Sequence, residues 1–157
     1  MAKIFWALFI SMVPIVELRG ALPIAYASGI PIVLSYLLTV IGNCIPIPFL
    51  IIFGKRVLDW FASFEKFGKP FRKIIEVGES KAAKINPNAL FWGLFAFVAV
   101  PLPGTGAWTG CLISMLLGLD LKKAFPPIAL GVVTSGLIVS AIVLLVESGV
   151  KWLNFFI

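Results

Sequence analysis

The chain has 157 residues, of which 61% are hydrophobic and 13% charged, with 13 Lys+Arg against 7 Asp+Glu and a net charge of +6. A soluble domain is nearer one quarter charged, so this composition describes an integral membrane protein of one domain and a few segments. The chain contains no His, which removes Ser-His hydrolysis, His-based metal centres and imidazole relays. No metal, cofactor or enzymatic activity is expected. The basic balance reads as loop charge that orients the chain in a bilayer, not as nucleic-acid binding.

The first apolar stretch, Ile4 to about Gly29, carries Glu17 and Arg19 inside a run to Val33 that has no other charge. Each such charge costs roughly 2.5–3.5 kcal/mol at a membrane centre. Pro14, Gly20 and Pro23 surround the pair, and Pro and Gly are the poorest helix formers. Two half-helices meeting near Glu17–Gly20 are therefore expected in place of one spanning helix. Non-helical backbone at that depth survives only inside protein or along a wet cavity. Lys3, the run Ile4–Val16 and Ala25-Tyr-Ala27 also mimic a signal peptide. Glu17 and Arg19 interrupt that pattern and more segments follow, so a retained hairpin is expected.

The second segment, Pro31 to Gly54, is 24 residues without a charge, long enough to span. Gly42-Asn-Cys-Ile-Pro-Ile-Pro48 interrupts it. Asn43 either bonds a neighbouring helix at a packed kink or meets a substrate group. Lys55 to Lys84 then holds eight of the 13 basic residues: Lys55, Arg56, Lys66, Lys69, Arg72, Lys73, Lys81 and Lys84. Val57, Leu58, Trp60, Phe61, Phe64 and Phe67 recur at near-helical spacing, as in a helix lying in the interface. A solvated cytoplasmic face is the plain reading of this stretch, and a lipid-headgroup site the sharper one.

The third segment, Ala89 to Leu119, is 31 residues without a charge. Its middle, Val100-Pro-Leu-Pro-Gly-Thr-Gly-Ala-Trp-Thr-Gly110, again predicts two half-helices and a tip. The fourth runs from Ala124 to Val146, with Pro126 and Pro127 placed in its first turn and Gly131, Ser135 and Gly136 on a small-residue face. Cys44 and Cys111 read as isolated, buried small hydrophobes.

The halves share an order of parts. Gly29 and Gly118 are 89 apart, as are Gly42 and Gly131; Gly20-Ala21 and Gly106-Ala107 are 86 apart. The expected fold is all-α: two inverted repeats, each a re-entrant helical hairpin followed by a transmembrane helix, joined by an interfacial amphipathic helical connection. Repeat 1 covers 1–54, the connection 55–87 and repeat 2 88–157. With re-entrant hairpins, ten cations fall inside, Lys122 and Lys123 among them, and Lys3 and Lys151 outside. The positive-inside rule prefers this to four full spans and puts the connection in the cytoplasm at the inner membrane. Trp6, Trp60, Trp92 and Trp152 then fall near interfaces.

Glu17 and Arg19 are two apart, so on a regular helix they do not face each other. The half-helices leaving the tips are expected to begin near Ala21–Pro23 and Gly106–Trp108, with Thr105 capping the second. Gly104 and Gly106 would permit the positive φ of an anion-binding nest. The expected site joins Glu17, as the proton carrier, to Arg19, Gly20, Asn43, Pro103, Gly104, Thr105 and Gly106, as the binding groups for an anionic head. The plainer alternative is a Glu17–Arg19 ion pair, or Glu17 bonded to the tip backbone, that only holds the hairpins together.

At Glu17-Leu-Arg-Gly-Ala-Leu-Pro23, with Pro46-Ile-Pro48 and Pro101-Leu-Pro-Gly-Thr-Gly-Ala-Trp-Thr-Gly110, nearly the whole chain resembles the small multidrug export proteins of bacteria and archaea. More distantly it is similar to the DedA (SNARE-associated, VTT) membrane proteins. That second resemblance implies oppositely inserted re-entrant hairpins and proton-coupled translocation of polyprenyl phosphate, with Glu17 and Arg19 at functional acidic and basic positions. The DedA proteins carry further arginines after the second hairpin, where this chain has only Lys122 and Lys123. The function expected is proton-coupled transport of an amphipathic substrate, a lipid-linked phosphate first and hydrophobic drugs second. A structural or assembly protein without substrate is the third reading. The partners expected are membrane lipids, that substrate and protons. Four short segments make a thin wall around a cavity, which would suit a homodimer.

Overall fold

The computed structural model describes residues 2–64 and 68–156, the side chains of 151–156 excepted. The expectations for Lys66, Phe67, Lys151 and Trp152 lie outside the described residues. Every regular element among those described is helical.

Helix α1 (Ala2–Ser11) stops short of Pro14, because the residue before a proline is pushed out of the helical region. The Met12 and Val13 amides turn back to the Phe9 and Ile10 carbonyls at 3.1 and 3.2 Å. Helix α2 (Glu17–Ala27) starts four residues ahead of the Ala21–Pro23 expected for it. Glu17 itself takes φ 49, and its amide bonds the Val13 carbonyl at 2.9 Å, so winding is under way before Pro23. That proline then costs only the bond to the Arg19 carbonyl.

Helices α3 (Ile32–Cys44) and α4 (Pro46–Ala62) meet at Ile45, which keeps helical angles. Pro46 and Pro48 sit in the first turn of α4 and, without amide hydrogens, leave the Gly42 and Cys44 carbonyls unbonded along the joined helix. Together they make a 31-residue apolar helix, Ile32–Ala62, so residues 55–62 belong to it and not to the connection. Helix α5 (Gly68–Lys84) is amphipathic and lies in the expected connection, but it starts at Gly68-Lys-Pro70 and holds none of residues 57–64, whose spacing predicts such a helix. Helix α6 (Pro87–Ala99) opens on Pro87, with the Asn86 side chain accepting the Asn88 amide at 2.9 Å. Helix α7 is Ala107–Leu116 and helix α8 Leu121–Phe156. Pro126 and Pro127 lie in the second turn of α8, not the first, and free the Lys122 and Lys123 carbonyls.

Two helices, Ile32–Ala62 and Leu121–Val150, are long and apolar enough to cross a bilayer. The hairpin pieces α1, α2, α6 and α7 have 10 to 13 residues, about half of that depth at 1.5 Å per residue. With Phe5, Trp6, Phe9, Phe49, Phe53, Trp92 and Leu145 all exposed, the molecule is an all-helical membrane protein. Cys44 and Cys111 are free thiols, Cys111 buried and Cys44 partly so.

The first hairpin folds back on itself: Lys3 Nζ donates to the Ser28 carbonyl at 2.8 Å, so the start of α1 lies beside the end of α2. Both pieces rest on α3, and α6 and α7 lie against α8. Each hairpin also reaches across, α2 to α8 and α7 to α4. The fully buried Leu18, Leu22, Ile47, Val98, Cys111 and Ile128 pack where these helices converge. At one end of the molecule, Lys55 pairs with Asp120 at 3.3 Å, and Gly78 of α5 lies against the Leu116 carbonyl so closely that a Cβ would overlap it. At the other, the Tyr26 hydroxyl donates to the Glu147 carboxylate.

The halves repeat more strictly than the glycine spacings suggest. α2 ends with Gly29 at φ 88, its amide on the Tyr26 carbonyl and the Ile30 amide on Ala25. α7 ends with Gly118 at φ 64, its amide on Met115 and the Leu119 amide on Ser114. Both are the glycine-terminated helix end in which the left-handed residue lets the chain turn away. All ten buried residues from Glu17 to Asn43 have a buried counterpart 89 residues on, from Gly106 to Val132. The offset at the tips is therefore 89 and not 86, and it matches Glu17 with Gly106.

Candidate functional site

Glu17 opens α2 in the left-handed region, which costs a non-glycine residue about 1–3 kcal/mol. Its side chain is 7% exposed. The carboxylate accepts the Trp108 backbone N–H at 3.1 Å. Trp108 is the second residue of α7, so Glu17 occupies the place of an N-cap side chain, supplied by a residue distant in sequence. Gly106, at the N-cap position itself, has φ −77 and ψ −172, extended backbone open to any residue. Its lack of a side chain matters for another reason: a Cβ there would fall on the Glu17 carboxyl. The expectation of positive φ holds for Gly104, at 81, and not for Gly106.

Thr105 does not cap α7. Its hydroxyl lies 2.8 Å from the Val100 carbonyl and 2.9 Å from that of Leu102, and so folds the tip on itself.

Arg19, one half-turn along α2, takes the other end of the break. Nη2 donates to the Val98 carbonyl at 3.1 Å and the Val100 carbonyl at 3.0 Å, and Nη1 donates to the Leu102 carbonyl. These carbonyls belong to the last turn of α6 and the strand of tip that follows. A carboxylate at a helix N-terminus and a guanidinium at a C-terminus each meet the favourable end of the dipole, worth about 0.3–1 kcal/mol and up to about 2 when partly buried. No ion pair joins Glu17 to Arg19 among the described residues. The indole of Trp108 adds a third link, Nε1 donating to the Met12 carbonyl at 3.2 Å. The two tips thus meet, and each charged group of the first serves a helix end of the second.

Behind this joint lies a crevice lined by Glu17, Arg19, Asn43, Val98, Gly106 and Ser135, among others. Its free space is about 160 Å³, with no void that admits a water-sized sphere. Asn43 Oδ1 and Ser135 Oγ are buried there without a hydrogen-bond partner. Of the residues expected to form the site, Glu17, Arg19, Asn43 and Gly106 come together. Gly20 packs beside Val16, Thr105 shapes the tip, and Pro103 and Gly104 are exposed and do not line the crevice. Sequence reasoning missed Trp108, whose contribution is mainly a backbone amide, and treated Ser135 only as a packing residue. The alternation of Glu17 and Arg19 with two broken helices was the one signal that could have pointed to mutual capping.

The fold and the joint define a class: a small helical membrane protein whose one buried charge among the described residues, Glu17, lies where two broken hairpins meet. The chain belongs to the family described as "Putative small multi-drug export protein", whose model matches residues 17–138. The match begins at Glu17 and takes in α2 and the second tip, and export is the activity this family description names. No curated protein and no solved structure matches the chain.

Proposed function

We propose that the chain is a proton-coupled exporter of an amphipathic anion, a lipid-linked phosphate of the polyprenyl type, with the joint between the tips as its gate. The observation that carries this is the position of the Glu17 carboxylate: it fills the seat at the start of α7 that an anionic head group would take. Protonation of Glu17 removes the charge from its bond to the Trp108 amide and weakens it, the joint loosens, and the anion replaces the side chain. The closed crevice supports a lipid substrate. Pockets that enclose a compact drug run to about 300–1,000 Å³, whereas a lipid needs to insert only its head while its tail stays in the bilayer.

The hairpins are read as re-entrant from opposite faces, which makes the halves inverted repeats. Three contacts support this: Lys3 with Ser28, Lys55 with Asp120, and Tyr26 with Glu147. The end with α5 gathers Lys55, Arg56, Lys69, Arg72, Lys73, Lys81, Lys84, Lys122 and Lys123, which argues for a cytoplasmic face at the inner membrane.

The test is flux of polyprenyl phosphate in proteoliposomes under an imposed pH gradient. Glu17→Gln abolishes the coupled component; unchanged coupled flux in that variant overturns the proton role. A second reading, efflux of hydrophobic drugs, draws on the family description and on an apolar groove of about 280 Å³ beside α6 and α7, lined by Leu90, Leu94, Phe97 and Ile113. Arg19→Ala separates the two, weakening transport of the anionic lipid and sparing a cationic drug.

A further inference from the structure

The crevice behind the tips holds two polar atoms that nothing satisfies. Asn43 is 3% exposed and Ser135 3% exposed, and Asn43 Oδ1 and Ser135 Oγ make no hydrogen bond. A buried acceptor left unpaired costs about 1–3 kcal/mol, and both line the same crevice as the Glu17 carboxyl. An amide oxygen wants a donor. A carboxylate has none to give, and a carboxylic acid has one.

We infer that Asn43 and Ser135 form a second seat for the Glu17 side chain, taken when it carries a proton. This rests on the proton-coupling reading above and extends it. In the charged state the carboxylate accepts from the Trp108 amide. A proton arriving from water binds one carboxyl oxygen, the new O–H donates to Asn43 Oδ1, and the Ser135 hydroxyl donates to the other oxygen. The Trp108 amide is then released. The side chain thus has two alternative sets of partners, one for each charge, and the exchange between them couples the proton to the joint.

The surroundings favour a proton over a metal cation. Among the described residues, the charged or titratable groups facing Glu17 are Arg19 from its own helix and the Cys111 thiol from α7. The one charge of α1, Lys3, is held away at Ser28. α3 presents Asn43, α6 Val98, and α8 Val132 and Ser135. A guanidinium in the lining opposes a second cation, and no room remains for a coordination sphere. A proton needs neither space nor further ligands.

The experiment uses the full chain in liposomes and follows the carboxylic-acid C=O band of Glu17 by infrared difference spectroscopy as pH is varied. The band is identified by its loss in Glu17→Gln. Asn43→Leu removes the acceptor and moves the pH of half-protonation down by about one unit. Asn43→Val, the residue its counterpart Val132 carries in the second half, gives the same shift in a second packing context. Ser135→Ala shifts it the same way by less. A titrating band that neither Asn43 variant moves overturns the inference and leaves proton coupling standing. A shift to higher pH also overturns it, because Asn43 would then be donating its amide to the charged form. Absence of any Glu17 titration in the unsubstituted protein removes the proton-coupling reading and this inference with it.

Discussion

The Glu17 carboxylate caps the N-terminus of α7 through the amide of Trp108, at 3.1 Å and across 91 residues of chain. Removing the carboxylate should therefore be felt in α7 as well as at the first tip. Glu17→Ala leaves the Trp108 amide without its acceptor and is expected to lose about 1–3 kcal/mol, seen as a lower melting temperature in detergent. Glu17→Gln keeps an acceptor oxygen and most of that stability while losing the charge. A Glu17→Ala protein as stable as the unsubstituted one would remove the cap from the account.

Gly106 and Glu17 form one unit, because a Cβ at 106 falls on the carboxyl. Gly106→Ala should displace the side chain and destabilise about as much as Glu17→Ala. In the double variant the two losses should overlap, with a coupling of at least about 1 kcal/mol in a double-mutant cycle. Additive effects would mean that the two residues act separately. Gly104→Ala, where the new atom meets nothing within 4 Å, should cost only the strain of its left-handed backbone, about 1 kcal/mol.

Arg19 holds three carbonyls with two nitrogens, a task for a planar fork. Arg19→Lys keeps the charge but cannot span them, and should recover less than half of the stability lost in Arg19→Ala. Thr105→Val removes a hydroxyl shared between two of the same carbonyls and should cost about 1 kcal/mol. Full recovery by lysine in melting experiments would show that charge alone matters.

The Lys3 ammonium reaches the Ser28 carbonyl, so cysteines placed at both should be joined by a short bifunctional thiol reagent once Cys44 and Cys111 have been replaced. Single cysteines at Ser28 and Lys122 should be labelled by a membrane-impermeant reagent from opposite sides of an oriented vesicle. Labelling of both from one side would exclude the re-entrant arrangement.

Much of the fold is legible in the residues. Val13-Pro14 and Pro101-Leu-Pro-Gly104 announce the breaks because prolines there deny the helix both donors and angles. The basic stretch after Lys55 announces a surface helix, which forms over Gly68–Lys84, while the aromatic run from Val57 to Phe61 that also suggests one continues the spanning helix. The exact start of α2 is not legible: Gly20 and Pro23 weigh against a helix by propensity, yet the chain winds through them once Glu17 turns left-handed. Nor is the continuity of the helix through Ile45 legible, since Pro46 and Pro48 read as an interruption while Ile45 keeps helical angles. The site is half legible. Two charges in an apolar run mark it, but their partners are backbone groups about 80 to 90 residues away, and backbone carries no residue-type signal.

The match of Glu17 with Gly106 has a bearing on how such a joint can arise. Counterpart positions in two like halves come face to face here, one bearing a long acidic side chain and the other none. Two separate copies of a single half would present the same residue twice, either two carboxylates repelling each other or two bare backbones with nothing between. Bolt and keeper have to be different parts. Carrying both halves in one chain lets each position specialise, which two identical copies of one half could not do.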